Sequence, residues 1–70
     1  MDFDTSKLRG RIIEVCGTVS TFIEKVSAGA SKVYDYLNGN SVLTQKDIIE
    51  WCNVLDIKPK EVADYFFTPR

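Results

Sequence analysis

Apolar side chains recur every third or fourth position along most of the chain, which is the spacing of one face of an α-helix. Leu8, Ile12 and Cys16 follow this spacing within the first 16 residues, and Asp4 is placed to cap the helix that carries them. Gly17 then supplies a residue suited to the left-handed conformation in which helices commonly end. No stretch of useful length alternates between apolar and polar residues, so the pattern predicts an all-α fold.

Two short helices are predicted next, with a brief turn between them. The first stops at residues 27–29, where small residues interrupt the apolar spacing. The second runs from about Ala30 to Leu37, and its inner face is predicted to carry Ala30, Val33 and Leu37. Two short helices joined by roughly three residues are typical of a helix-turn-helix, which we expect at about residues 18–38.

Threonine residues mark the starts of the second and fourth helices. Thr18 is placed to cap the second helix, and Thr44 to cap the fourth, with Asp47 in the capping-box position. Pro59 is expected at the first position of a fifth helix, and Pro69 lies beyond its end. The whole pattern predicts a compact domain of five short helices that bury one apolar face each.

Several aromatic residues can be assigned to the core or the surface from their positions. Trp51 falls on the apolar stripe of the fourth helix. Phe66 and Phe67 are adjacent, so only one of them can be central to the core. Tyr34 and Tyr36 cannot both point inward on so short a helix, and we expect Tyr34 to be the exposed one.

The chain has 70 residues, of which 44% are apolar, and its net charge is −1. These values predict one domain spanning residues 1–70, and no signal peptide or membrane span is expected, which points to a soluble protein of the cytoplasm. Positive charge is clustered only in "KLRGR", Lys7 to Arg11, which either attracts DNA or forms a solvated helix face. The electrostatic drive towards nucleic acid is therefore weak, because phosphate neutralisation supplies most non-specific affinity.

The chemistry available to the chain is limited, because it contains no histidine. Zinc sites built on histidine and Cys-His nucleophile pairs are therefore excluded. Cys16 and Cys52 lie on apolar helical faces and are predicted to be buried free thiols. Asp2 and Asp4 resemble paired carboxylates, but their terminal position favours capping. We expect no enzyme activity, metal, cofactor or small-molecule substrate.

The chain resembles the lambda-repressor-like, Cro-type regulators of phages, and the resemblance covers nearly its whole length. The closing "LNG" of the third helix matches that group, as do four apolar positions: Phe22, Val26, Val33 and Leu37. The opening "KLRGRIIEVCG" and the ending "EVADYFF" are similar to Mor-type antirepressors of temperate phages of Gram-positive bacteria. These oppose a CI-type repressor in the lysis–lysogeny switch, so the resemblance implies a bacterial cytoplasmic regulator with such a repressor as its partner.

The chain also departs from the pattern of that group at positions that matter for DNA. Val19 stands where members usually have a phosphate-binding glutamine, and Ile23 stands in place of a small alanine. The turn glycine is Ser27, and the serine that caps the third helix is Gly29, which has no side-chain oxygen. The residues that replace groups reaching base edges are Ala30, Ser31, Lys32, Tyr34 and Asp35.

The candidate partner- or DNA-binding face can be interpreted in two ways. If it binds DNA, Ser31 and Lys32 meet base edges and Asn38 meets a phosphate. If it binds protein, Tyr34 is the aromatic contact, and Asp35 meets basic side chains of the partner. Any one of these residues could also be an ordinary surface or core-edge position. The complete candidate set is Glu24, Ser27, Ala30, Ser31, Lys32, Tyr34, Asp35 and Asn38.

Three functions remain open at this point. The departures favour an antirepressor that binds the DNA-binding domain of a CI-type repressor and competes there with operator DNA. A Cro-like repressor that binds an operator as a dimer is the first alternative. The second is a co-repressor that sits on DNA jointly with the CI-type repressor.

Overall fold

Five α-helices and one 3₁₀ turn make up the computed structural model, which describes residues 3–68. Asp2 and Pro69, which the sequence assigned to a carboxylate pair and a helix stop, lie outside the described residues. The prediction of an all-α fold with five helices is confirmed. In chain order the helices are α1 (Ser6–Cys16), α2 (Val19–Lys25), α3 (Ala30–Leu37), α4 (Gln45–Leu55) and α5 (Val62–Phe66).

Local signals placed most helix ends correctly. The Thr18 hydroxyl accepts a hydrogen bond from the Thr21 N–H at 3.1 Å, which satisfies an N–H at the start of α2. Thr44 and Asp47 form the predicted capping box at the start of α4. Gly17 ends α1 with a φ of 85°, a conformation that side chains other than glycine rarely adopt.

Two predicted helix starts were wrong. The N-cap of α1 is Thr5 and not Asp4, although a carboxylate oxygen of Asp4 accepts the Ser6 N–H at 2.9 Å. The Thr5 hydroxyl makes no capping bond to its own helix and donates to the Leu37 carbonyl at 2.7 Å. Pro59 begins the 3₁₀ turn Pro59–Glu61, which leads directly into α5, and does not begin α5 itself.

The core is one cluster of apolar side chains centred on Trp51. The Phe22 ring lies edge-on to Trp51 with centroids 4.9 Å apart, and the Tyr36 ring does so at 5.7 Å. The Tyr36 hydroxyl donates to the Phe66 carbonyl at 3.1 Å. The buried apolar residues among those described are Leu8, Ile12, Phe22, Val33, Tyr36, Leu37, Trp51, Leu55, Ile57 and Phe66.

The inner face of α3 differs from the predicted one. Val33 and Leu37 are buried as expected, but Ala30 is exposed and Tyr36 takes the third inner position. A stripe through residues 33, 36 and 37 is centred about 65° around the helix from Ala30, given about 100° per residue. Tyr36 thus belongs to the buried face of α3, and the first residue of the helix faces solvent.

Lys7 and Arg9 of the basic segment "KLRGR" are exposed, as expected for a solvated helix face, but the basic side chains of the segment also make contacts within the chain. Arg9 donates to the Leu37 carbonyl at 3.2 Å, and Arg11 donates through Nε to the Leu55 carbonyl at 2.9 Å. Lys7 places its ammonium 4.7 Å from the centroid of the Tyr65 ring. The basic side chains of α1 therefore contact other elements of the fold.

Both cysteines are free thiols, as predicted, but they are half-buried and not fully buried. Both pack against the edge of the core. Burial raises the pKa of the Cys52 thiol. Within residues 3–68, no helix has the length and apolar character needed to cross a membrane.

Candidate binding face of the second and third helices

The candidate face, called here the α2–α3 face, consists of the eight predicted residues on α2, on α3 and on the segments that flank α3. Residues 26–29 separate the two helices, an arrangement consistent with a helix-turn-helix. Gly29 precedes α3 in an extended conformation and gives it no side-chain cap. The members of the face are Glu24, Ser27, Ala30, Ser31, Lys32, Tyr34, Asp35 and Asn38.

Seven of these eight residues are exposed, and Lys32 is half-buried. Tyr34 is 43% exposed, whereas Tyr36 is only 6% exposed, so the expected division between the two tyrosines is confirmed. Glu24 and Asp35 make no ion pair with another described residue. The face therefore presents an aromatic ring and two carboxylates to solvent.

The positive charge of the face is held by a carboxylate from α4. Lys32 Nζ lies 2.8 Å from a carboxylate oxygen of Asp47, whose side chain is only 16% exposed. The hydrogen bond from Lys32 holds the pKa of Asp47 below its usual value, and bonds from Thr44 act in the same direction. Asp47 therefore stays ionised and pairs with Lys32 while it also completes the cap of α4.

A second carboxylate of α4 binds the turn between α2 and α3. One oxygen of Glu50 accepts the Ser27 N–H at 2.8 Å, and its other oxygen accepts the Ser27 hydroxyl at 2.8 Å. This two-point contact fixes the turn against α4. Ser27, predicted to be a partner contact, is thus also a structural link within the chain.

The sequence did not identify Asp47 and Glu50 as parts of this face. The sequence predicts only a capping role for Asp47, and Glu50 is simply the second acid on the polar surface of the same helix. Their spacing of three residues places both on one side of α4. No local pattern indicates that this side faces Lys32 and the turn before α3, because that proximity arises from the tertiary fold.

The α2–α3 face adjoins an open cleft of about 580 Å³ between the turn and α4. Its walls carry polar and charged groups, including Lys46 beside the Lys32–Asp47 pair. Ile49, which is 55% exposed, adds an apolar surface at the side of the cleft. The cleft is thus a mixed surface, in which Lys32 is paired with Asp47 and Glu50 is bonded to Ser27.

Comparison with known proteins places this geometry in a family. Residues 1–69 match the sequence model of the family described as "Protein of unknown function (DUF739)". No curated protein matches the chain. Among solved structures, the chain is similar to the modulator of repression (MOR) of the temperate bacteriophage TP901-1 from Lactococcus lactis. The two share 31% identity and a TM-score of 0.80, over 96% of this chain and 90% of the other. The predicted likeness to Mor-type regulators is confirmed.

Proposed function

The chain belongs to the family of proteins of unknown function DUF739, and we propose that it modulates repression in a temperate phage. The observation that carries this proposal is its likeness, over nearly the whole of both chains, to a phage modulator of repression. At that identity and coverage, a shared regulatory role is a stronger inference than one drawn from the fold alone. The chain would act in the cytoplasm of the bacterial host.

We further propose that the partner is a CI-type repressor and that the α2–α3 face binds its DNA-binding domain. The exposed Tyr34 supports this, because tyrosine is enriched at the centres of protein interfaces. Asp35 and Glu24 support it as well, since a repressor's DNA-binding surface carries the basic side chains that such carboxylates attract. Operator DNA and this chain would then compete for one surface of the repressor.

Binding of the chain to operator DNA by itself should be weak. Its net charge is −1, and Lys32, a candidate base contact, is paired with Asp47. The arginines of α1 donate hydrogen bonds to carbonyl groups of the chain's own helices. These features weaken the electrostatic term that dominates non-specific DNA binding.

The test is a DNA-binding titration on the operator region of the chain's own phage, at two salt concentrations, with and without the CI-type repressor. We expect little binding of the chain alone and release of the repressor from its operator when the chain is added. Tight binding by the chain alone, which weakens steeply with salt, would identify a Cro-like repressor and overturn the proposal. A complex that contains DNA, repressor and chain together would identify a co-repressor.

A further inference from the structure

We infer that Asp47 and Glu50 are specificity determinants that keep the α2–α3 face from binding nucleic acid. Their carboxylates bind Lys32 and Ser27, two residues near the start of α3 that would otherwise be available to contact phosphate. The inference deepens the proposed function and rests on it. It explains how a helix-turn-helix arrangement, which commonly binds DNA, would bind a protein partner instead.

The occupied groups are of the kinds that bind phosphate. Backbone N–H groups, serine hydroxyls and lysine ammonium groups supply most contacts of proteins to the DNA backbone. In a helix-turn-helix the start of the second helix is the part that approaches the duplex. Ser27 lies three residues before α3, and Lys32 lies in its first turn. Both are therefore placed where a phosphate would be met.

Glu50 satisfies Ser27 in the way that a phosphate would. Its two oxygens accept the N–H and the hydroxyl of the same residue, each at 2.8 Å. Two oxygens of a phosphate group would use the same pair of donors. A phosphate can bind there only by displacing the Glu50 carboxylate. Because Glu50 is part of α4, its carboxylate stays near the site, and its negative charge repels the phosphate.

Asp47 acts in the same way on Lys32. The two side chains are 2.8 Å apart, and the Asp47 carboxylate also accepts the Thr44 N–H at 3.4 Å, which is its bond in the capping box. Because this carboxylate is tied to the start of α4, it cannot swing away without breaking the cap. Lys32 thus has its charge neutralised, whereas Asp35 keeps its negative charge exposed to solvent.

The inference is tested by the double variant Asp47→Asn/Glu50→Gln in the full chain. Both changes keep the side-chain size and remove the negative charge. The control is Asp56→Asn/Asp64→Asn, which reaches the same net charge at exposed positions away from the cleft. Asparagine is suited to position 56, because this residue is left-handed with a φ of 54° and asparagine tolerates that conformation. The readout is fluorescence anisotropy of a labelled duplex of random sequence, titrated at low and high salt.

We expect the cleft variant to bind duplex DNA on the order of tenfold more tightly than the control at low salt, since charge-assisted bonds to phosphate are worth about that. Its affinity should also fall more steeply with salt, by about one further released counterion for each additional phosphate that the variant neutralises. Equal increases in affinity for the two variants would mean that net charge alone matters, and this result would overturn the inference.

A second variant guards against a loss of the α4 cap. Glu50→Gln alone leaves the Thr44–Asp47 box intact, and circular dichroism checks that each variant is folded. Asp64→Asn is its single-charge control. If neither folded Glu50→Gln nor the double variant binds DNA more tightly than these controls, the inference is overturned.

The same samples separate this inference from the proposed function. Repressor binding is measured for the wild-type chain in parallel. If the wild-type chain binds the repressor but the cleft variants bind DNA no more tightly than their controls, the inference fails and the proposed function stands. If the wild-type chain binds DNA tightly without the repressor, both fail, because the carboxylates then exclude nothing.

Discussion

Arg11 on α1 donates through Nε to the carbonyl oxygen of Leu55, the last residue of α4, at 2.9 Å. The same guanidinium reaches the Asp56 carbonyl at 3.3 Å and pairs with Glu14. Its hydrogen bond to Glu14 raises the pKa of Arg11 above its ordinary value. Arg11 thereby satisfies two carbonyl oxygens at the C-terminal end of α4, and α1 packs against that helix.

Replacing Arg11 with lysine should lower the stability of the fold. Lysine keeps the charge but lacks the planar guanidinium, whose Nε–H and terminal N–H reach the two carbonyl oxygens from fixed positions. We expect a lower urea midpoint for Arg11→Lys, followed by circular dichroism, with the helical content at zero denaturant unchanged. Lys60→Arg, a change in the opposite direction at an exposed position, should leave the midpoint near that of wild type. An unchanged midpoint for Arg11→Lys would show that the bonds to Leu55 and Asp56 contribute little.

The adjacent residues Phe66 and Phe67 should differ sharply in their effect on stability. Phe66 is 1% exposed and packs against Trp51, whereas Phe67 is 47% exposed and lies edge-on to Phe3. Phe66→Ala should cost about 3–5 kcal/mol, which is a large share of the roughly 4–10 kcal/mol expected for a domain of this length. Phe67→Ala should cost no more than about 1 kcal/mol. Thermal unfolding of the two variants measures the difference, and equal losses would contradict the assignment of Phe66 to the core.

Tyr36→Phe should weaken the fold at neutral pH and reduce its sensitivity to alkali. The hydroxyl of Tyr36 donates to the buried Phe66 carbonyl, so its removal should cost about 1–2 kcal/mol at pH 7. Burial raises the pKa of Tyr36 above its ordinary value of 10.0. For a group with a raised folded pKa, the stabilisation is complete below the unfolded pKa and is lost as pH rises through the folded pKa.

The stability of the wild-type chain should therefore fall above pH 10 more steeply than that of the Tyr36→Phe variant. Urea unfolding at several pH values between 8 and about 11 measures both curves. Tyr34→Phe is the control, because Tyr34 is exposed and its hydroxyl makes no tertiary hydrogen bond with the residues that the structure describes. Parallel curves for wild type and Tyr36→Phe would mean that Tyr36 titrates as freely as it does in the unfolded chain.

If the proposed interface is right, Tyr34→Ala should weaken binding to a CI-type repressor by on the order of tenfold or more, because truncation of a central interface tyrosine usually costs over about 1 kcal/mol. Phe67→Ala is the matched control, since it removes an aromatic ring of similar exposure away from the α2–α3 face. Isothermal titration calorimetry with the purified repressor compares the two. If a folded Tyr34→Ala variant binds the repressor with unchanged affinity, the interface lies on another surface of the chain.

Asp35→Lys should also weaken binding to the repressor, with most of the change in the association rate, because a like charge would then face a basic surface. Asp64→Lys makes the same charge change on α5 and serves as the control. Surface plasmon resonance separates the association and dissociation rates. If Asp35→Lys binds the repressor normally and binds DNA more tightly than Asp64→Lys does, the face is directed at DNA.

The sequence by itself determined the helices and their order. Gly17, Thr18 and Thr44 act through bonds within one turn of their own position, so their effect is visible in a short window of residues. The apolar spacing of α4 likewise assigned Trp51 and Leu55 to the core, because helical periodicity follows from backbone geometry alone. The resemblance to Mor-type regulators was also available from residues read in order.

The tertiary structure decided which polar groups meet across the fold. Arg11 reaches Leu55 over a separation of 44 residues, and Ser27 reaches Glu50 over 23. Such pairs leave no periodic signal, because each depends on the angles and distances at which whole helices pack. For the same reason Thr5 uses its hydroxyl for Leu37 rather than for its own helix, and Lys32 is neutralised by Asp47. The helices are therefore local properties of the chain, whereas the charge of its candidate binding face is a property of their packing.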